Sequence, residues 1–261
     1  MTSSAPEVSV IIPFYNEEEN VDDTLRAVSS ALYASRFPAW ELILVNDGST
    51  DSTKRLLEMW VVHERGWKIV GHDRNMGVGA ALRTGIKNAS GRNLVTIEGD
   101  LSYNPKDIEK LLAEIAAGYD IVVGSPYAQG GTVHGVGKGR YLISRLGNLL
   151  LSRAIGLKST CVTNSFRAYN SKGRHLASRV PHNDKRFHPT ILSLAKIERL
   201  RIREVPVVLE ARKKGKSKTR IVRAVLLHTG LLFSFLKMRI ASTRSRQESR
   251  QWSTAGYASS R

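Results

Sequence analysis

Glu98 and Asp100 flank a single glycine directly after the apolar run Asn93-Leu94-Val95-Thr96-Ile97. An apolar run that stops at acid-Gly-acid reads as a buried strand delivering two carboxylates to its C-terminal end, because residues i and i+2 of a strand point to one side. Gly99 between them would let another group approach the backbone closely. Two hard oxygen ligands at an open strand end suit Mg²⁺ or Mn²⁺ carrying a phosphorylated substrate. The competing reading is a polar turn into the next helix, with Pro105 near that helix's first turn.

The elements around this pair alternate. Val8 to Pro13, Glu41 to Val45, Lys68 to Val70, Leu94 to Ile97 and Asp120 to Val123 read as strands. Glu17 to Ser35 carries Val21, Leu25, Val28 and Leu32 at helical spacing. Further helices are expected from about Ser52, with Thr50 or Asp51 as cap, from Gly77 to Ala89 and from Pro105 to Ala117. This order implies an α/β fold, a Rossmann-like, mostly parallel sheet flanked by helices. Ligands bind such sheets at the carboxyl ends of the strands. Asn16, Glu17, Asn46, Asp47, Asp73, Glu98 and Asp100 collect there. Beyond residue 125 the pattern loosens into a glycine-rich loop from 129 to 139, a helix from Arg140 to Ile155, a strand from Val205 to Leu209 and a basic loop from Arg212 to Arg220.

Charge divides the 261-residue chain in the same place. Residues 1–124 hold 12 Lys and Arg against 18 Asp and Glu, and residues 125–261 hold 28 against 5, within a total of +17. The basic half should face something anionic: nucleic acid, a membrane surface or a phosphorylated acceptor. Cys161 stands alone, which excludes an internal disulfide and a cysteine metal cluster. Met1 to Glu7 lack a positive start and an apolar core, so no signal peptide is expected. The apolar stretch from Ala224 to Leu236 is too short for a spanning helix and suits either a core helix or an interfacial one. Residues 242–261 form a basic tail without periodicity, expected to be disordered.

Four motifs fall in order at strand ends: Val10-Ile11-Ile12-Pro13-Phe14-Tyr15-Asn16-Glu17, Val45-Asn46-Asp47-Gly48-Ser49-Thr50-Asp51, Arg74-Asn75-Met76-Gly77 and Glu98-Gly99-Asp100. Together they resemble a family 2 glycosyltransferase of the GT-A fold, over about Val8 to Lys218. Within that family the likeness is to polyprenyl-phosphate sugar synthases of the dolichol-phosphate mannose synthase type. It is carried by Leu101-Ser102 and Pro105 after the acidic motif, Gly124-Ser125-x-Tyr127, Arg140-x-x-x-Ser144, Asn164-Ser165-Phe166-Arg167 and Arg212-x-x-Gly215-x-Ser217-Lys218. Three departures stand out. Glu98 replaces the first acid of Asp-x-Asp, Pro126 stands where the family often has Arg, and Asn164-Ser165 stands where Ser-Gly is expected.

The resemblance implies a metal-dependent, inverting transfer of a hexose, mannose favoured, from a nucleotide sugar such as GDP-mannose to a polyprenyl or dolichyl phosphate. The enzyme would be peripheral, on the cytoplasmic face of an anionic membrane surface, with a separate membrane subunit left open. Residues 1–124 would be the nucleotide-sugar-binding half of one domain and 125–219 the acceptor-binding half, followed by an apolar, interfacial segment over 220–241. Pro13, Tyr15, Glu17 and Asp47 would hold base and ribose, Glu98 and Asp100 the metal, and Arg140, Ser144, Arg212, Ser217 and Lys218 the acceptor. Arginine forks match phosphate geometry, and a phosphomonoester acceptor, largely a dianion near neutral pH, needs no general base. The motif region offers no evident His–carboxylate pair, in keeping with that. Transfer to a polysaccharide or protein hydroxyl would need a base, and Asp184 is the one aspartate within 125–200. A third reading, a degenerate transferase fold that binds nucleic acid, lacks aromatic platforms among the basic residues; no nucleic-acid partner is expected.

Overall fold

The computed structural model describes residues 6–64, 66–212, 214 and 229–235. Val8–Phe14 (β1), Trp40–Asp47 (β2), Trp67–His72 (β3), Asn93–Thr96 (β4) and Ile121–Ser125 (β5) are the strands read from the first half. The apolar run of β1 is buried on both faces, as expected for a central parallel strand. Val21–Tyr33 (α1), Thr53–His63 (α2), Val78–Asn88 (α3) and Ile108–Ala116 (α4) connect them, the last preceded by a 3₁₀ turn over Pro105–Asp107. Asn104 caps that turn by accepting from the Lys106 amide.

The second half completes the same sheet. Its elements are Thr132–His134 (β6), Lys138–Ile155 (α5), Arg167–Tyr169 (β7), Ser171–Ser178 (α6), Phe187–Ile197 (α7), Ile202–Pro206 (β8) and Val208–Glu210 (β9). The seven strands run β3-β2-β1-β4-β7-β5-β8. β7 is antiparallel to both neighbours, and the other pairings are parallel. The expected strand from Val205 to Leu209 is two strands: β8 ends at Pro206 and β9 leaves the main sheet to pair with β6. The glycine-rich loop therefore contains a strand.

One apolar cluster lies on each face of the sheet. Val10, Ile12, Leu44 and Val95 face α1 and α4. Ile11, Ile43, Val45 and Leu94 face α3, α6 and α7. Residues 229–235 are helical, and Leu231 and Phe235 pack into the second cluster while Phe233 is exposed. That part of the expected interfacial segment thus turns one side to the core; 220–228, 236–241 and the tail lie outside the described residues. Trp60 stacks on Trp67 and donates to Asp22 at 2.7 Å, a packing role. Cys161 is buried, and burial pushes its thiol up to about 12.

At the other end of the sheet from the motifs, buried Glu41 accepts from the Ser9 hydroxyl at 2.6 Å, the Ser90 amide at 2.6 Å and Lys68 at 2.8 Å. Burial alone would raise this carboxyl, but the hydrogen bonds from Lys68, Ser9 and Ser90 outweigh it and hold it at about 2, against an ordinary 4.5. The folded value lies below the unfolded one, so the stabilisation is present above the unfolded value and is lost as pH falls through the folded one. Glu41→Gln is expected to cost about 1–2 kcal/mol at neutral pH, after allowance for solvent screening. It should also flatten the fall of Tm as pH drops from about 5 to about 2. A variant whose Tm profile tracks wild type through that window would remove Glu41 from the account.

Candidate active site

The carboxyl ends of β1 and β2 are tied together first. The Asn16 side chain accepts from the Thr50 amide at 2.8 Å, and the Thr53 hydroxyl accepts from the Glu17 amide at 2.8 Å. Gly48 has φ +68°, and a Cβ there would collide with the backbone of Arg74, so the Asn46 to Asp51 motif needs glycine for a close approach. The N-cap of α2 is Ser52, one residue past the expected Thr50 or Asp51, and Asp51 accepts from the Thr53 amide at 3.0 Å just ahead of the helix.

Asp47, expected to hold base and ribose, lines the cleft and is also bonded within the protein. Its Oδ1 accepts from the Met76 amide at 2.9 Å and faces His72 Nδ1 at 2.7 Å, while Oδ2 accepts from the Gly77 amide at 2.9 Å. Both oxygens are engaged by the protein, so the carboxylate fixes the Arg74 to Gly77 turn beneath the cleft. His72 and Asp47 also form a His–carboxylate pair that sequence order concealed, because the partners come from neighbouring parallel strands.

The acidic pair lies beyond its strand. β4 ends at Thr96, and Gly99 and Asp100 form a turn. Strand alternation therefore does not bring the carboxylates together. Leu101, with φ 53°, reverses the chain so that the Ser102 amide at 3.0 Å and hydroxyl at 2.6 Å meet Asp100 Oδ1. The same hydroxyl lies 3.3 Å from Glu98 Oε2, so both acids converge on Ser102. Gly99 makes room for the Phe14 ring rather than for a ligand. Glu98 Oε1 accepts from the Ser165 hydroxyl at 2.7 Å, which joins two of the three departures from the family pattern. Burial, and then the neighbouring Asp100, push the Glu98 carboxyl above its ordinary value.

Arg212 closes the cluster. Its Nε lies 2.7 Å from Asp100 Oδ2, and Nη1 lies 2.8 Å from Glu17 Oε1. Expected with the acceptor-binding residues, Arg212 sits on Glu17 and Asp100, two acids expected to bind the donor. The reason is β9: the Glu210 amide donates to the Ser102 carbonyl at 2.9 Å and the Ala211 amide to the His134 carbonyl at 2.8 Å, which carries the next residue over Asp100. Burial lifts the Glu17 carboxyl against the pull of Arg212 and Asn20.

A cleft of about 760 Å³ runs between these groups and α5. Pro13, Tyr15, Glu17, Asp47, Glu98, Asp100 and Arg212 line it, as do Arg140 and Ser144 from the α5 side. Tyr127 donates to the Ser144 hydroxyl at 2.9 Å, which leaves the Ser144 proton free to point elsewhere. Ser217 and Lys218 lie outside the described residues. Sequence reasoning missed two features. Lys185 lines the cleft, and burial pushes its ammonium pKa down. Leu142, Ile143, Leu146, Leu149 and Leu150 are exposed along α5, a stripe legible in its three-to-four spacing. Asp184 also lines the cleft. Burial would raise it, but the hydrogen bonds from Arg186 outweigh this and hold it below the usual carboxylate range, which makes it a poor base.

Among the described residues, no group of three or more His, Cys, Asp and Glu could hold a metal. Two carboxylates converging at a cleft fit a divalent ion that takes its other ligands from phosphate oxygens and water, the usual arrangement for Mg²⁺.

The model of glycosyl transferase family 2 matches residues 9–174. The chain is 33% identical over 240 residues to a dodecaprenyl-phosphate galacturonate synthase of Rhizobium johnstonii, covering 89% of this chain and 68% of that protein. It is 30% identical over 215 residues to a dolichol-phosphate mannosyltransferase of Pyrococcus furiosus, covering 81% of this chain and 58% of that one. Glucosyl-3-phosphoglycerate synthase from Mycobacterium tuberculosis, crystallised with Mn²⁺, uridine diphosphate and glucosyl-3-phosphoglycerate, shares the fold. Its TM-score is 0.64 at 19% identity, over 90% of this chain and 80% of that one.

The contact between Glu98 and Ser165 is open to a double-mutant cycle. Glu98→Ala, Ser165→Ala and the double variant, compared by urea unfolding, are expected to show a coupling of about 1 kcal/mol, the range for a hydrogen bond to a carboxylate. Additive effects would mean that the contact contributes nothing to the position of Glu98.

Proposed function

The chain belongs to glycosyl transferase family 2, and we propose that it moves a hexose from a nucleotide sugar to a polyprenyl phosphate at a membrane surface. One observation carries this reading. α5 contributes Arg140 and Ser144 to the cleft that holds Glu98 and Asp100, while Leu142, Ile143, Leu146, Leu149 and Leu150 on the same helix are exposed. A lipid phosphate needs both features: a cationic seat for its head beside the donor, and an apolar exit for its chain. The two relatives named above differ in the sugar of their names and share a polyprenyl or dolichol phosphate.

In this reading Pro13, Tyr15 and Glu17 border the nucleoside, and Asp47 shapes the floor from below. Glu98 and Asp100 hold Mg²⁺ or Mn²⁺, which when bound neutralises charge on the leaving diphosphate. Arg140 and Ser144 seat the acceptor phosphate. A phosphate oxygen bonds to the anomeric carbon from the face opposite the diphosphate. The bond from that carbon to the diphosphate oxygen breaks, and its electron pair leaves with the diphosphate. The configuration inverts, and no proton needs to be removed from the acceptor. Arg212 keeps the buried acids compensated and stands where the donor and acceptor sides meet, so its loss should disturb both.

No helix among the described residues is long and apolar enough to cross a membrane. The proposed contact is a surface one. α5 carries Lys138, Arg140, Arg145 and Arg153 and no acid, which suits an anionic bilayer. Each basic residue near such a surface contributes about 1 kcal/mol, screened by salt.

The direct test incubates a panel of nucleotide sugars, GDP-mannose first, with membranes and scores sugar-labelled lipid. Label in polysaccharide or protein instead would sink the lipid acceptor. Asp100→Ala is expected to stay folded by circular dichroism and lose transfer by on the order of a hundredfold to a thousandfold. Near-normal activity of that variant in EDTA would remove the metal. Wild type should sediment with anionic vesicles and be released as salt rises, and the pair Leu146→Glu and Leu150→Glu should abolish sedimentation. Binding that survives both changes, or a dimer formed through this face, would reject the lipid contact.

A further inference from the structure

We propose that Lys185 holds the attacking phosphate of the acceptor, between Arg140 and the Glu98–Asp100 pair. The inference deepens the acceptor assignment above and rests on it.

The backbone around Lys185 is fixed from α3. Arg83 donates to the carbonyls of Val180 at 2.8 Å and His182 at 2.7 Å, and to the Asn183 side chain. The Gly79 amide donates to the Asn183 carbonyl at 2.7 Å. A Cβ at Gly77 or Gly79 would collide with the Asn183 or His182 carbonyl, so these glycines serve the close approach of this segment to α3. The neighbours of Lys185 are also committed. Asp184 is held by Arg186 at 2.9 Å and 2.8 Å, and Phe187 is buried at the start of α7. Lys185 lines the cleft between them.

The charges that surround Lys185 come from both substrate sides. Glu98 and Asp100 lie in the turn after β4, Arg140 is on α5, and Arg212 follows β9. Arg140 is exposed at the first turn of its helix and marks the rim of the cleft. A phosphate held only there would sit at an exposed guanidinium, whereas Glu98 and Asp100 are half-buried and buried. A cation is needed further in, and Lys185 is placed for it. An ammonium offers three donors, enough to engage more than one phosphate oxygen. It transfers no proton; the acceptor oxygen gains the anomeric carbon and the diphosphate keeps the electron pair of the broken bond.

The test is amine acetylation of the full chain, read at Lys185 by mass spectrometry, with either a short polyprenyl monophosphate or a nucleoside diphosphate plus Mn²⁺ present. The monophosphate is expected to slow modification about tenfold, and the diphosphate to leave it unchanged, as follows from losing one charge-assisted hydrogen bond. Lys185→Gln should raise acceptor KM about tenfold while donor Kd by calorimetry stays within about twofold, and Lys185→Arg should recover part of the loss. Protection by the diphosphate alone, or a normal acceptor KM in Lys185→Gln, overturns the assignment. Protection by the monophosphate in a wild type that never glycosylates it would sink the proposed function and leave Lys185 as a phosphate site. Robust transfer without protection would sink Lys185 alone.

Discussion

Three carboxylates, Glu17, Glu98 and Asp100, face one cleft from buried or half-buried positions, and their mutual repulsion is the constraint that the rest of the structure answers. Like charges in a poorly solvated space destabilise one another unless cations or hydrogen-bond donors are supplied. Here the supply comes from the second half of the chain. Arg212 bridges Glu17 and Asp100, the charge of Lys185 favours the ionised form of Glu98, and Ser165 donates to Glu98. The strong charge asymmetry of the sequence is therefore more than a surface property. The basic half neutralises the acidic half at the place where the two meet.

That compensation requires the second half to be built into the sheet of the first. β7 enters between β4 and β5 and brings Ser165 beside Glu98. Arg167, fully buried, donates to the Val162 carbonyl at 2.7 Å and the His188 carbonyl at 2.9 Å, so this arginine is a brace for the loop and for α7. Asn148 of α5 accepts from the amides of Val162 at 2.7 Å and Thr163 at 3.1 Å. Glu204 of β8 accepts from the amides of Thr160 and Cys161, both at 2.9 Å. Hydrogen bonds thus pin the segment from Thr160 to Thr163 to α5 and β8, and the same segment leads to Ser165 and so to the carboxylate of Glu98. The two halves of the chain share one scaffold.

What was legible in the sequence follows from how local each signal is. β1, β2 and β5 are runs of apolar residues, and α1 has a clear stripe, so both could be read from neighbours alone. β7 could not: Arg-Ala-Tyr is three residues long and opens with a charge whose partners lie at Val162 and His188. The role of Asp47 was hidden for the same reason, since its donors come from His72, Met76 and Gly77. Lys185 stands in Asn183-Asp184-Lys185-Arg186, which reads as a solvated loop until α3 is seen to hold it. The glycosyltransferase resemblance named residues that line one cleft and put Arg212 with the acceptor through its motif with Gly215, Ser217 and Lys218, whereas β9 carries Arg212 onto Glu17 and Asp100.

The departures from the family pattern make physical sense as a pair. Glutamate at 98 sets its carboxylate one methylene further from the backbone than aspartate would. A glycine at 165 would offer no donor to meet it, whereas Ser165 supplies a hydroxyl at 2.7 Å. The Thr96 hydroxyl in turn donates to the Ser165 carbonyl, which fixes the backbone that presents this donor. A longer acid alone would add rotamer freedom to a group that must act in a defined place; a tethered longer acid does not. Asp100 needs no such change, because the reversal at Leu101 already returns two donors from Ser102 to it. The two acids are therefore held by different means, Asp100 by its own turn and Glu98 by the other half of the chain. Movement of β7 would shift Glu98 relative to Asp100, which makes the geometry of the acidic pair a property of the whole sheet.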